Sequence, residues 1–221
     1  MAKIISAAQA IGMISEHARL LIGGFLAVGA PETLIDELVK ANTKNLHIVV
    51  IASDYETRGI GKLVVNHQIK SAQVSHLGTN KEIQKQMNEG EITIELVPQG
   101  TLMERVRAFG AGLGGVLTPT GLGTVVAEGK QTIEVDGKPY ILEPAIAGDF
   151  ALVKAWKADR QGNLIFHKTA RNSNPIMAMA GKITIVEVDE IVEAGEIDPE
   201  HIITPGVFVD YLVPLKEQNH G

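Results

Sequence analysis

The chain has 221 residues, no cysteine and a formal charge of −6, with 45% hydrophobic, 21% charged and 4% aromatic residues. The lack of cysteine excludes disulfides, thiolate metal sites and a cysteine nucleophile, while scattered Lys and Arg and few aromatics leave no basic stripe or stacking platform for nucleic acid. No apolar run reaches the roughly 18 residues of a spanning helix, and the opening Met1-Ala2-Lys3-Ile4-Ile5-Ser6 has no unbroken apolar signal core, so a cytoplasmic protein with small-molecule or protein partners is expected.

Ala7, Ile11, Met13, Ile14 and Ala18 recur at helical spacing and predict a helix over 6–17, followed by a short buried strand at Leu20-Leu21-Ile22. After the turn Gly23-Gly24, Pro31 suits a helix start, and Leu34, Ile35, Leu38 and Val39 mark one face of a second helix. Leu46-His47-Ile48-Val49-Val50-Ile51 reads as a second buried strand. A strand near Ala72-Gln73-Val74-Ser75, a polar helix over 81–88 and a strand over 92–97 continue the pattern. Such alternation implies crossover connections and a mainly parallel sheet covered on both faces.

Past Val97 the alternation stops. Residues 110–123 carry Gly110, Gly112, Gly114, Gly115, Gly121 and Gly123 around Thr118-Pro119-Thr120, which predicts a long loop. Asp136-Gly137, between Thr132-Ile133-Glu134-Val135 and Tyr140-Ile141-Leu142, is a strong hairpin signal and predicts an antiparallel excursion. Further strands are expected at 150–153, 164–166 and 183–188, with a packed helix over 176–180 and a short polar end at 216–221. The length exceeds the usual single-domain mode, but open α/β domains reach it. With no Pro/Ser-rich linker and no internal repeat, one mixed α/β domain over 1–221 is expected.

Chemistry is expected first at Gly23-Gly24-Phe25-Leu26-Ala27-Val28-Gly29-Ala30-Pro31, which joins a strand to a helix. A glycine turn at the carboxyl end of a parallel strand leaves N–H groups free and points the next helix's positive end toward an anion. The same residues also serve as a plain tight turn. Their spacing fits neither G-x-G-x-x-G nor a P-loop, so nicotinamide and ATP chemistry lack their motifs. His47, His67, His76 and His167 are dispersed without metal-ligand spacing, and no metal is expected.

That nonapeptide resembles the G-G-F-x-x-x-G-x-P signature of the α subunits of family I CoA-transferases, the acetate, butyrate and acetoacetate (3-oxoacid) type. The resemblance continues through Ser75-His76-Leu77-Gly78-Thr79-Asn80, Val97-Pro98-Gln99-Gly100-Thr101-Leu102, Gly110-Ala111-Gly112-Leu113-Gly114-Gly115, Thr118-Pro119-Thr120-Gly121-Leu122-Gly123-Thr124 and Ala170-Arg171-Asn172-Ser173-Asn174-Pro175. It implies a CoA-transferase-like fold, coenzyme A as substrate with no tightly bound cofactor, and a ping-pong transfer through a glutamyl-CoA thioester. In that family the nucleophilic glutamate lies in a Ser-Glu-Asn-Gly motif of a β subunit, and this chain contains no such tetrapeptide. A β partner in an α2β2 heterotetramer is therefore implied. The resemblance also places Gln99 at the oxyanion, whereas by position alone Gln99 is a loop residue capping a helix that starts near Thr101.

Residues Gly23, Gly24, Phe25, Leu26, Ala27, Val28 and Gly29 are the expected CoA-binding loop. Residues 110–123 suit equally a lid over the acyl or pantetheine group and a contact between chains. Asn172 and Asn174 are candidates for substrate binding or for a simple helix entry at Pro175, and Glu32, Glu104 and Glu128 read as ordinary helix-terminal or exposed charges. Two other classes compete. A scaffold that only positions CoA or stabilises a partner would not depend on Gln99, and a sugar-phosphate isomerase would need a resident base and a basic phosphate pocket that no motif supplies.

Overall fold

The computed structural model describes residues 1–215; the polar end expected at 216–221 lies outside them. The elements in chain order are β1 (Lys3–Ile4), α1 (Ala7–Ile11), β2 (Arg19–Ile22), α2 (Glu32–Ala41), β3 (Leu46–Val49), α3 (Gly61–Val65), β4 (Ile69–Val74), α4 (Lys81–Asn88) and β5 (Thr93–Leu96). There follow α5 (Gln99–Gly110), β6 (Gly115–Thr118), β7 (Thr132–Val135), β8 (Lys138–Pro144), β9 (Gly148–Asp159), β10 (Leu164–Ile165), α6 (Asn174–Ala178), β11 (Gly181–Val192) and β12 (Tyr211–Pro214).

The main sheet runs β1-β12-β11-β9-β2-β3-β4-β5, every neighbouring pair parallel, with β10 antiparallel on β9. Period-two alternation sends successive side chains to opposite faces: Leu20 and Ile22 join the cluster under α1–α4, and Leu21 joins the other. The first cluster gathers Leu34, Ile35 and Leu38 from α2, Leu63 and Val64 from α3 and Ile83 from α4. The second gathers Leu102 and Val106 from α5 and Met177 and Ala178 from α6. The expected parallel sheet with helices on both faces is thus present, and among the described residues no helix is long and apolar enough to cross a membrane.

Local chemistry sets the element ends. Asn42 closes α2 in the left-handed conformation at φ 54°, and the Asn80 side chain caps α4 by accepting the Ile83 N–H. Asp136 and Gly137, at φ 49° and 72°, make the two-residue turn between β7 and β8. The antiparallel excursion is the separate sheet β6-β8-β7, after which β9, β11 and β12 return to the parallel sheet.

Three expectations change. Residues 110–123 are not one loop: Gly110 ends α5 and Gly115–Thr118 forms β6 on β8. Helix α1 stops at Ile11, where the Gly12 N–H donates to the Ala8 carbonyl, and Met13 and Ile14 continue in turn-like bonds to Ala10 and Ile11. Helix α5 begins at Gln99 rather than Thr101, since Pro98 has no N–H to satisfy and fixes the chain just outside the first turn.

Candidate active site at the switch point of the sheet

Strands β2 and β9 are parallel neighbours at the centre of the main sheet. From β2 the chain works outward through β3 and β4 to β5, and from β9 it works the other way through β11 to β12. The helix after β2 packs on one face, and α6, which leads from β9 toward β11, packs on the other. Such a reversal opens a crevice beyond the carboxyl ends of the two strands, where ligands of open α/β sheets bind. Residues 23–31, leaving β2, fill this position.

Phe25 and Val28 exchange backbone hydrogen bonds, Phe25 N–H to Val28 O at 3.1 Å and Val28 N–H to Phe25 O at 2.9 Å. Between them Leu26 and Ala27 both have positive φ, 49° and 64°. This is the turn geometry that usually recruits Gly or Asn, so two residues with a Cβ hold it against steric preference. Gly23 and Gly24 are buried, while Phe25 and Val28 stand exposed at the tip, 37% and 49%. The amide of Leu26 donates to no group among the described residues.

Side chains from distant segments fix the turn. The buried Ser173 hydroxyl accepts the Gly24 N–H at 3.0 Å and donates to the Gly24 carbonyl at 3.2 Å. Asn172 Nδ2 donates to Val28 O at 2.9 Å, and Asn174 Nδ2 donates to Gly29 O at 2.9 Å and Ala170 O at 2.7 Å. Asn174 Oδ1 accepts the Lys154 N–H at 2.9 Å, so this fully buried amide is committed at both ends. Asn174 therefore cannot serve a ligand, and the substrate-binding alternative for it falls. The glycines have packing reasons too: a Cβ on Gly23 would lie 1.8 Å from Asn174 Oδ1, and one on Gly29 2.8 Å from Ala170 Cα.

The positive end of α2 is already taken. Pro31, at its N-cap, offers no side-chain cap, and the buried Glu187 of β11 accepts the Thr33 and Leu34 N–H groups at 2.7 and 3.2 Å. Lys154 balances this carboxylate at 3.1 Å. The anion at this helix end is thus a side chain of the protein itself.

On the other flank, buried Asp54 accepts the Ala27 N–H at 2.9 Å and the Ile60 N–H at 3.0 Å. Burial pushes its carboxyl up to about 6, against the lowering effect of those two donors, with Glu32 adding to the rise. An acid raised in the folded state stabilises the fold below its unfolded value near 3.8 and loses that contribution as pH climbs through about 6. Relative to Asp54→Asn, the wild-type protein should therefore gain stability as pH falls from 7 to about 4.5, by at most about 3 kcal/mol. Urea denaturation of both proteins across that range checks it; a pH-independent difference would show that Asp54 is not the titrating group.

Gln99 is the first residue of α5, at the carboxyl end of edge strand β5, three strands from β2. Three strand spacings separate it from the turn by about 14 Å, so the fold puts both on one edge without bringing them into contact. The loops after β3 and β4 lie between. Gln99 is exposed, and its side-chain amide makes no hydrogen bond among the described residues. Of the glutamates, Glu32 accepts the Gly59 N–H and pairs with Lys62 at 2.6 Å, Glu104 pairs with Arg107, and Glu128 is exposed. All three are ordinary charges. The anchoring roles of Asp54, Ser173 and Glu187 escaped sequence reasoning, the only signal for Ser173 being its place in the Asn-Ser-Asn-Pro run.

Comparison with known proteins shows the family. The Coenzyme A transferase family matches residues 4–214. The chain is 51% identical over 214 residues to a probable succinyl-CoA:3-ketoacid coenzyme A transferase chain of Bacillus subtilis, covering 96% of this chain and 90% of that protein. It is 43% identical over 215 residues to the alpha chain of the acetate CoA-transferase of Escherichia coli, covering 97% and 98%. Among solved structures, an acyl-CoA transferase of E. coli O157:H7 in a thioester complex with CoA superposes at a TM-score of 0.87 and 25% identity. The chain is covered in full there but spans about half of that protein, 49%. With the turn at the switch point, the matched family over nearly the whole chain and relatives named as alpha subunits, the chain belongs to the coenzyme A transferase family, as an α-type subunit of family I.

Proposed function

We propose that this chain, as a single domain in the cytoplasm, is the α subunit of a short-chain acyl-CoA:carboxylate CoA-transferase, with acetate, butyrate or acetoacetate as the acid. A β subunit bearing Ser-Glu-Asn-Gly supplies the nucleophile, in an α2β2 assembly. The observation that carries the reading is the clamped turn at residues 23–29 on the same sheet edge as an exposed, uncommitted Gln99.

The partner's glutamate attacks the acyl-CoA carbonyl, expelling CoA thiolate and leaving an acyl-glutamyl anhydride. The thiolate then attacks the glutamyl carbonyl, releasing the first acid as carboxylate and forming the glutamyl-CoA thioester; an incoming acid reverses the sequence. Each attack builds negative charge on a carbonyl oxygen. Gln99 Nε2 is the donor aimed at that oxygen, and residues 23–29 receive the CoA portion of the substrate. Span favours this division, because an acyl group on an extended CoA arm bridges the interval between turn and Gln99 and a short acid does not. Exposed Leu113, Leu117 and Val125, at 52%, 42% and 77%, give the 110–125 region an apolar surface suited to the β subunit.

The purified chain alone should transfer no CoA between acetoacetyl-CoA and acetate, and addition of its β subunit should restore transfer, with light scattering giving the mass of two of each chain. Robust turnover by this chain alone would refute the division of labour.

A further inference from the structure

The core reaches the turn at residues 25–28 only through half-buried Ala27. Phe25 and Val28 are exposed, and the paired backbone bonds between them close it. Isolated pairings this short are marginal in water, and here Leu26 and Ala27 both adopt left-handed φ, where a Cβ crowds the following carbonyl. Something else selects the shape. Asn172, Ser173 and Asn174 lie as a strap along the turn's base, bonding Val28, Gly24 and Gly29 in that order, while Asp54 holds Ala27 from the far side. Asn174 has a second duty, tying Lys154 of β9 to the loop. Asn172 and Ser173 have no comparable bond to the strands: apart from contacts within residues 169–173, their side-chain bonds go to Val28 and Gly24.

We propose that Asn172 and Ser173 are positioning residues of the transferase, which hold the turn at residues 25–28 in the one shape that accepts the CoA substrate. The inference rests on the transferase reading above. It makes a specific kinetic demand. A loosened turn is competent for only a fraction of the time, and apparent affinity falls by that fraction, whereas a substrate once bound meets the same reacting groups. Loss of the strap therefore raises KM for acyl-CoA and spares kcat.

Asn172→Ala, on the surface, and Ser173→Ala, in the interior, are each assembled with the β chain and assayed at pH 7. KM for acyl-CoA should rise about 3- to 10-fold for Asn172→Ala and about 10-fold or more for Ser173→Ala, with kcat within about twofold. Adding Ala27→Gly to Asn172→Ala should recover most of the lost KM, because glycine adopts positive φ without the strain that the strap opposes. Hydrogen exchange on the free α chain supplies a readout independent of activity: the Phe25 and Val28 amides should exchange faster in both variants while those of β2 and β9 do not change. Unchanged KM and unchanged exchange at Phe25 and Val28 would overturn the proposal. So would uniformly faster exchange through β2 and β9 with kcat falling alongside KM. A wild-type complex that transfers no CoA would sink the transferase reading, and the exchange pattern would still decide whether the strap shapes the turn.

Discussion

Gln99→Ala in the assembled enzyme should lower kcat by about two to three orders of magnitude while KM for acyl-CoA moves little. The ground-state carbonyl and the tetrahedral intermediate differ chiefly in the charge on oxygen, so a donor aimed at that oxygen acts on the chemical step. Loss of one such donor elsewhere removes about 2.7–4 kcal/mol of transition-state stabilisation. Gln99 can be truncated without structural side effects: it is exposed, it makes no side-chain hydrogen bond among the described residues, and Ala is at least as good a helix former at the start of α5. Single-turnover formation of the glutamyl-CoA thioester should slow by the same factor, because that intermediate lies behind the same oxyanion. A wild-type rate of thioester formation would reduce Gln99 to a helix-start residue and favour a scaffold role for the chain. A rise in KM alone would mean that it holds substrate without stabilising the transition state.

The fold was legible where local chemistry is strong. Helix α4 begins and ends where its polar pattern puts it, the Asp136-Gly137 turn joins the two strands it separates, and β2 to β5 follow from alternating apolar runs and helices. Residues 110–123 misled because glycine raises the loop expectation regardless of pairing, whereas Gly115 is needed for packing: a Cβ there would lie 2.6 Å from the Glu143 carbonyl in the facing strand. Two-residue β1 and five-residue α3 are too short for any periodicity to show.

The site was legible in part and for a definite reason. The turn is marked by its place after a parallel strand, a one-dimensional signal, whereas Gln99 is singled out by the family resemblance and not by its position. The turn's supports carry no such signal. Glu187 reaches the Leu34 amide at the start of α2 from 153 residues away in sequence, Ser173 reaches Gly24 across 149, and Asn174 fills the space beside Gly23. Such contacts exist only once β9 and β11 are laid beside β2, so no local pattern marks a carboxylate at 187 as a helix cap or a serine at 173 as a clamp.

The second large effect falls on Gly23. Gly23→Ala should reduce kcat/KM for acyl-CoA by about 100-fold or more and destabilise the free α chain by about 2–4 kcal/mol, although it adds a single methyl group. The new Cβ would lie 1.8 Å from Asn174 Oδ1 and 2.6 Å from its Cγ, so the Asn174 side chain must leave. On leaving, it abandons the Lys154 N–H and the Gly29 and Ala170 carbonyls, which are partly buried around the fully buried Asn174 amide. Each buried polar group left unpaired costs about 1–3 kcal/mol, and the loop loses the bond that fixes Gly29. Gly100→Ala makes the contrast: no atom lies within 4 Å of a Cβ there, the residue is helical, and the free chain should be unchanged or slightly more stable. Phe25→Asp is the complementary variant: Phe25 is 37% exposed at the tip, so the change should cost the free chain no more than about 1–2 kcal/mol while abolishing turnover in the assembled enzyme, a charge then standing on the proposed CoA-binding turn. Loss of stability in Gly23→Ala with full activity in Phe25→Asp would make the glycines a packing device alone and move CoA binding off this turn.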